Sequence, residues 1–321
     1  MDMLKNFVAE KINNCRVMVI GDVMLDKYYF GDVERISPEA PVPIAHVMQI
    51  KETLGGGANV VHNLALLGCQ TSLVTQIGND IHGDKLLQKF QSRGVDYSGV
   101  VRIDKPTTTK IRVISGHQQM IRLDFEDAEE LNDVQTSEVL NKFYNQLPNV
   151  DAVIISDYGK GVCTEKICRA VIDACRQSDK FVVVDPKGDD WLKYSRASFI
   201  TPNLKELNEV LPRKIKNVDT SVETSARYVI DKFNLDGLIV TRSSKGLTLV
   251  DGKNIAHIKA RAQDVFDVSG AGDTVIAVFT LALAGGLDTP SAAFLANTAA
   301  GVVVAKVGTY AVSKDELLSA I

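Results

Sequence analysis

The stretch that most constrains the fold is Asp267-Val268-Ser269-Gly270-Ala271-Gly272-Asp273, which leads into the almost wholly apolar run 274–283. An apolar run without a polar stripe predicts a helix buried on all sides, inside a large domain rather than on its surface. A strand-like segment, 254–259, precedes it through a short polar connector, so the glycine turn falls at a helix N-terminus. Free backbone N–H groups and the positive end of the helix dipole make such a turn an anion site. Gly270 and Gly272 remove side chains that would hold an anion away from that backbone. Asp273 then places a carboxylate at the mouth of the site. Two readings stand at this point. Asp273 is a helix cap, since Asp is favoured in a first turn, or it accepts the proton of a hydroxyl that attacks phosphorus.

The rest of the chain predicts a body that would hold such a helix. Strands are predicted over 16–20 and 71–77, and helices over 59–67 (stopped by Gly68) and 81–92. From Asp133 the alternation resumes, with strands over 152–155, 181–184, 198–200 and 238–240 and helices between them. That order argues for an α/β fold, a mostly parallel sheet covered by helices. Two segments interrupt it. Residues 28–50 and 95–123 are rich in Val, Ile, Thr, Pro and Gly with period-two patterning, as short antiparallel strands are. They are expected to pair into one small sheet over the carboxyl-terminal edge of the main sheet, where α/β proteins bind ligands. The domain reading is a single domain over 1–321, with a lid drawn from about 27–50 and 95–125.

Composition closes off other classes. At 45% hydrophobic and 24% charged residues the chain has ample material for a core. Its net charge of -4 and pI of about 5.8 argue against nucleic acid or an anionic membrane as partner. Residues 1–14 lack the apolar centre of a signal peptide, and the longest apolar runs fall short of a membrane span. Cys15, Cys69, Cys163, Cys168 and Cys175 form no C-x-x-C pair, and buried thiols in a reduced cytoplasmic enzyme are expected.

Four further motifs fall at predicted strand ends or helix starts. Asp22 and Asp26 follow the first strand and suit paired sugar hydroxyls, or form a solvated turn. Gly55-Gly56-Gly57-Ala58-Asn59 brings backbone close to a polar ligand and offers Asn59 to its hydroxyls, or is a plain loop with Asn near the cap. Asn203 and Glu206 are three apart and share a helical face, fit for a hydrated Mg²⁺ or for mutual capping. Thr241-Arg242-Ser243-Ser244-Lys245-Gly246 ends a strand with hydroxyls and cations, as a polyphosphate requires. The first βα turn lacks G-x-G-x-x-G and the chain has no G-x-x-x-x-G-K-[ST], which count against a dinucleotide site and a P-loop.

Taken in order, the glycine motif at Gly55, Asn203-x-x-Glu206, Thr241-Arg242-x-x-x-Gly246 and Gly270-Ala271-Gly272-Asp273 resemble the PfkB/ribokinase family of sugar kinases along essentially the whole chain. The resemblance implies a ribokinase-like three-layer fold with a β lid that is often shared in a homodimer. It implies that Asp273 is the catalytic base and that the Gly270, Ala271 and Gly272 backbone is the anion hole. ATP would lie by Asn203, Glu206, Thr241, Arg242, Gly246 and Asn297, with Mg²⁺ held through water by Asn203 and Glu206. The sugar would meet Asp22, Asp26, Gly56, Gly57, Asn59 and Asp157. A monovalent cation such as K⁺ is implied at Asp267 and Ser269.

Other segments resemble one branch of that family, the kinases that phosphorylate D-glycero-β-D-manno-heptose 7-phosphate at O1. They are Gly21-Asp22-Val23-Met24-Leu25-Asp26, Ile36-Ser37-Pro38-Glu39-Ala40-Pro41-Val42-Pro43, Ser156-Asp157-Tyr158-Gly159-Lys160-Gly161 and Val184-Asp185-Pro186-Lys187-Gly188. The lid segments around Thr108 to Arg112 and Gln118 to Asp124 belong to the same pattern. A substrate that already carries a phosphate needs cations away from ATP, and Lys110, Arg112, Arg122, Lys160 and Lys187 are the candidates. Relatives with this pattern often carry a fused nucleotidylyltransferase domain, and none is expected within these 321 residues.

Overall fold

The computed structural model describes residues 1–116, 118–261, 265–306 and 308–321. Among them, thirteen strands form a nine-stranded and a four-stranded sheet. In chain order they are β1 (Arg16–Gly21), β2 (Val23–Ile36), β3 (Pro43–Gly56), β4 (Gln70–Gly78), β5 (Asp96–Ile103), β6 (Thr109–Ser115), β7 (Gln118–Phe125), β8 (Ala152–Ser156), β9 (Phe181–Asp185), β10 (Phe199–Ile200), β11 (Gly237–Thr241), β12 (Leu247–Asp251) and β13 (Ile255–Ile258). The large sheet runs β13-β12-β11-β10-β9-β8-β1-β4-β5. Pairing is parallel from β5 through to β11, and β12 and β13 add an antiparallel edge.

β1 shows how the layers arise. Successive side chains leave a strand on opposite faces, and here Val17 and Val19 enter one core while Met18 and Ile20 enter the other. A strand buried on both faces reads as a continuous apolar run, as 16–20 does. The first core holds the helices Gly57–Leu66, Ile81–Gln91, Ala271–Ala284 and Thr289–Val303. The second holds Asp133–Gln146, Glu165–Gln177, Leu204–Val210 and Asp219–Phe233. This is the three-layer ribokinase-like arrangement. The helix after the glycine turn is buried at every residue from Asp273 to Leu283, as its uninterrupted apolar sequence requires.

The small sheet runs β3-β2-β6-β7, with β2–β3 and β6–β7 antiparallel and β2–β6 parallel. One expected boundary is corrected. Residues 96–103 do not join the lid: β5 pairs in parallel with β4 in the main sheet. The helix Ile81–Gln91 carries the chain back across the sheet between them, the crossover that parallel neighbours need. The second half of the lid therefore runs from Thr109 to Phe125. All five cysteines are free and buried; Cys163 precedes the helix that carries Cys168 and Cys175. No helix among the described residues is long and apolar enough to cross a membrane.

Candidate active site

The carboxyl ends of β8 to β11 and the start of the helix Ala271–Ala284 enclose one cleft, lined among others by Asp185, Lys187, Asn203, Glu206, Thr241, Gly272 and Asp273. Gly270 stands just before the helix at φ 81°, and a Cβ there would come within 2.8 Å of the Asn59 amide nitrogen. Gly272 faces open space: a Cβ there would have no neighbour within 4 Å. The turn therefore uses its glycines differently, the first for backbone conformation and packing, the second to leave the helix end uncovered.

Asp273 is 5% exposed. Its Oδ2 accepts the Asn59 side-chain amide at 2.7 Å, and its Oδ1 accepts the Tyr158 hydroxyl at 2.6 Å. Burial pushes this carboxyl up to about 6; the charge of Asp26 adds to that rise, and the Tyr158 and Asn59 hydrogen bonds oppose it. The next residue, Thr274, donates its hydroxyl to Asn63, and Asn63, one turn beyond Asn59, donates to the Asn59 carbonyl, so the two helices are laced side by side.

Asp22 and Asp157 are both buried, and both turn inward. Asp22 accepts the backbone N–H groups of Tyr158, Lys160 and Val162 at 2.9, 2.9 and 3.0 Å. Asp157 accepts Gly159 N–H on one oxygen and both Lys193 Nζ and the Tyr194 hydroxyl on the other. Together the two carboxylates shape the loop that carries Tyr158, and Asp157 also lines the cleft. Gly56 and Gly57 serve the same junction. Gly57 N–H donates to the Asp22 carbonyl at 2.8 Å, and a Cβ on Gly56 would stand 2.7 Å from that oxygen.

From the lid, Asp26 is 4% exposed and accepts Arg112 Nη1 at 2.7 Å, while the Arg112 guanidinium lies over the Tyr28 ring. Lys110 and Lys160 converge on Glu126 at 3.1 and 2.7 Å, and Lys110 also meets Asp124, the partner of Arg122. Lys187 lines the cleft itself.

At the other end, Asn203 and Glu206 cap each other: Asn203 Oδ1 accepts Glu206 N–H at 3.0 Å and Glu206 Oε2 accepts Asn203 N–H at 2.9 Å. Both still line the cleft beside Asp185. Burial and the neighbouring charges of Asp273, Glu206 and Asp157 hold Asp185 well above the usual carboxylate range, and burial raises Glu206. Oxygen donors crowded at this cost in charge suit a divalent cation that keeps its waters, so the donor set fits Mg²⁺.

Arg242 is corrected. It is turned away from the cleft and buried, with Nε on Asn217, Nη1 on Thr248 and Asp219, and His257 within 3.3 Å. The guanidinium carries five donors, and Asn217, Asp219 and Thr248 accept from Nε and Nη1, while Nη2 is buried without a partner among the described residues. Gly246 holds φ 80°, where a Cβ would collide with the Ile258 carbonyl at 2.0 Å. Asn297 donates to the Lys259 carbonyl at 2.9 Å. Asp267 accepts Ser269 N–H and Gly308 N–H, which ties two loops together beside the helix start.

Tyr158, Asp185 and Tyr194 were not among the expected site residues. The signal for Asp185 was its place at the end of a predicted strand. Tyr158 stands in the segment Ser156 to Gly161 that carries the branch resemblance, but an aromatic after a strand does not by itself announce a chemical role.

Comparison with known proteins places the chain in a family. The model of the pfkB family carbohydrate kinases matches residues 14–316. The "Bifunctional protein HldE" of Desulfatibacillum aliphaticivorans is 42% identical over 316 residues, 98% of this chain and 64% of that protein. The protein of the same name from Shewanella baltica (strain OS185) is 44% identical over 307 residues, 95% of this chain and 63% of that one. The chain thus spans a little under two thirds of the curated relatives it matches. Among solved structures, Arabidopsis thaliana ribokinase complexed with ribose and ATP has a TM-score of 0.75 at 20% identity, covering 95% of this chain and 98% of that one. Escherichia coli phosphofructokinase-2 in complex with potassium has a TM-score of 0.77 at 19% identity, covering 95% and 97%. By sequence over nearly its whole length, and by fold, the chain belongs to the pfkB family of carbohydrate kinases.

Proposed function

We propose that this kinase transfers the γ-phosphoryl group of ATP to O1 of D-glycero-β-D-manno-heptose 7-phosphate, giving the 1,7-bisphosphate used in lipopolysaccharide core precursors. The observation that carries the chemistry is Asp273: a buried carboxylate, raised to about 6, at the open N-terminus of a buried helix. The observation that favours the sugar is the 42–44% identity to proteins named HldE.

Asp273, ionised above its pKa, receives the proton of the anomeric hydroxyl as that oxygen attacks phosphorus. The uncovered backbone from Gly270 to Gly272 and the helix dipole stabilise negative charge on the transferring group. Asn59 and Asp26 orient sugar hydroxyls. Lys187, which lines the cleft, is the first cation for the distal phosphate, since Lys110 and Lys160 are engaged by Glu126; Arg112 would join it by exchanging its ion pair with Asp26. Asn203, Glu206 and Asp185 would hold a hydrated Mg²⁺, which would supply neutralising charge to the nucleotide phosphates. Closure of the lid excludes water and suppresses ATP hydrolysis. Asp267 and Ser269 are the residues for a monovalent cation.

The lid also carries the proposed dimer contact. Alternation and register place Ile50, Ile121, Leu123 and Phe125 on the face opposite Asp26 and Arg112, and these four are 41–56% exposed. An apolar sheet face of this kind fits a second copy of the lid.

A coupled ADP-release assay across heptose 7-phosphate, fructose 6-phosphate and ribose tests the substrate. The highest kcat/KM is expected with heptose 7-phosphate. A higher value with either of the other sugars would reject that assignment and leave the kinase chemistry standing.

A further inference from the structure

Resting on the reading of Asp273 as the base, we infer that Tyr158 is its positioning residue, the group that fixes the carboxylate in the orientation that receives the acceptor's proton. The Tyr158 hydroxyl donates to Oδ1 at 2.6 Å while Asn59 donates to Oδ2 at 2.7 Å. Two donors from two separate elements, one on each oxygen, set the plane of the carboxylate. Each oxygen keeps a second lone pair for the incoming hydroxyl.

The ring is itself held. Tyr158 N–H is fixed by Asp22, and the next residue's N–H by Asp157, which is anchored in turn by Tyr194 and Lys193. On its other side a Cβ at Gly56 would stand 3.4 Å from Tyr158 Cδ2. Asp22 also receives Gly57 N–H on its carbonyl and directly precedes β2, so the residue that anchors Tyr158 sits at the root of the lid. Burial, followed by the charge of Asp273, pushes the phenol well above its ordinary range, so Tyr158 remains a donor and does not compete as a base.

A hydrogen bond to the ionised form of an acid favours that form. The groups about Asp273 are Asp26 from the lid, Asp185 at the end of β9 and Lys187 just beyond it, Glu206 beyond β10, and Tyr158 and Asn59. Of these, Tyr158 and Asn59 hydrogen-bond the carboxylate itself.

Tyr158→Phe keeps the ring and removes the donor. In the free protein the Asp273 carboxyl is titrated by ¹³C NMR, its resonance assigned by its loss in Asp273→Asn. The midpoint is expected to rise by about one unit, the worth of a hydrogen bond to a charged group. With heptose 7-phosphate and ATP, the acidic limb of kcat/KM should move by the same amount. Turnover should fall about tenfold while the KM for ATP holds. A midpoint and limb that stay at the wild-type values would overturn the positioning role and leave Tyr158 as packing. The outcome is separable from the base assignment: wild-type turnover in Asp273→Asn would reject that assignment, whereas an unmoved midpoint rejects only the role of Tyr158.

Discussion

Asn59 and Asp273, 214 residues apart in sequence, share a buried 2.7 Å hydrogen bond that joins the glycine-rich helix start to the glycine turn. Gly270 is the residue that permits it. Its φ of 81° is a conformation that side chains other than glycine rarely adopt, and a Cβ would press to 2.8 Å on the Asn59 amide. Gly270→Ala should therefore cost about 1–3 kcal/mol of stability, from the left-handed conformation and the forced shift of Asn59. Turnover should fall more steeply than stability does. Urea unfolding alongside steady-state kinetics checks both; unchanged kinetics would show that Asn59 does not orient the base.

The raised pKa of Asp273 also has a consequence for stability. Its folded value of about 6 lies above the unfolded value near 3.9. The protonated form is thus favoured by folding; the cost of holding the charge is absent below the unfolded value and complete above the folded one. Asp273→Asn removes that charge. The variant should be more stable than the wild type at pH 8, by a margin on the order of 1–3 kcal/mol, and the margin should vanish near pH 4. Thermal unfolding at the two pH values gives the comparison.

Arg242 gives the opposite case, a residue whose loss harms the fold rather than the chemistry. Arg242→Ala leaves Asn217 and Thr248 without their buried donor and opens a void, with a loss of about 3 kcal/mol expected. Arg242→Lys should recover little, because one ammonium cannot reproduce the fork. Both should retain the wild-type KM for the sugar in whatever fraction stays folded, as measured by chemical denaturation and initial rates.

What was legible in the sequence follows from which physical signals it carries. Apolar runs of four to six residues buried on both faces, such as 16–20 and 152–155, announced the strands of the sheet, and an apolar ten-residue run announced the buried helix. Period-two alternation announced β6 and β7, but the same pattern in β5 pointed to the lid. The pattern reports one covered face and not which sheet does the covering. The acidic residues show the same limit more sharply. Asp22, Asp26 and Asp157 look alike in sequence, yet two of them are consumed by backbone amides and a buried tyrosine, and only tertiary contacts separate them. The cap formed by Asn203 and Glu206 was one of two readings of their spacing, and the structure makes it without removing either from the cleft.

That double role makes Glu206 a useful probe. Gln at the third helical position still accepts the Asn203 N–H, so Glu206→Gln should keep the cap and the melting temperature. It removes one negative charge from the site proposed to hold hydrated Mg²⁺. The Mg²⁺ concentration for half-maximal rate is expected to rise about tenfold. A Mg²⁺ titration of initial rate decides this; an unchanged midpoint would remove Glu206 from the metal site.

The most direct test of the account is the turnover of Asp273→Asn with ATP and a phosphorylated sugar, measured beside nucleotide binding by calorimetry. The account predicts nucleotide affinity close to that of the wild type and a fall in kcat of roughly 10²–10⁴-fold, the usual worth of a positioned general base. Turnover within a few-fold of the wild type, with binding intact, would contradict it.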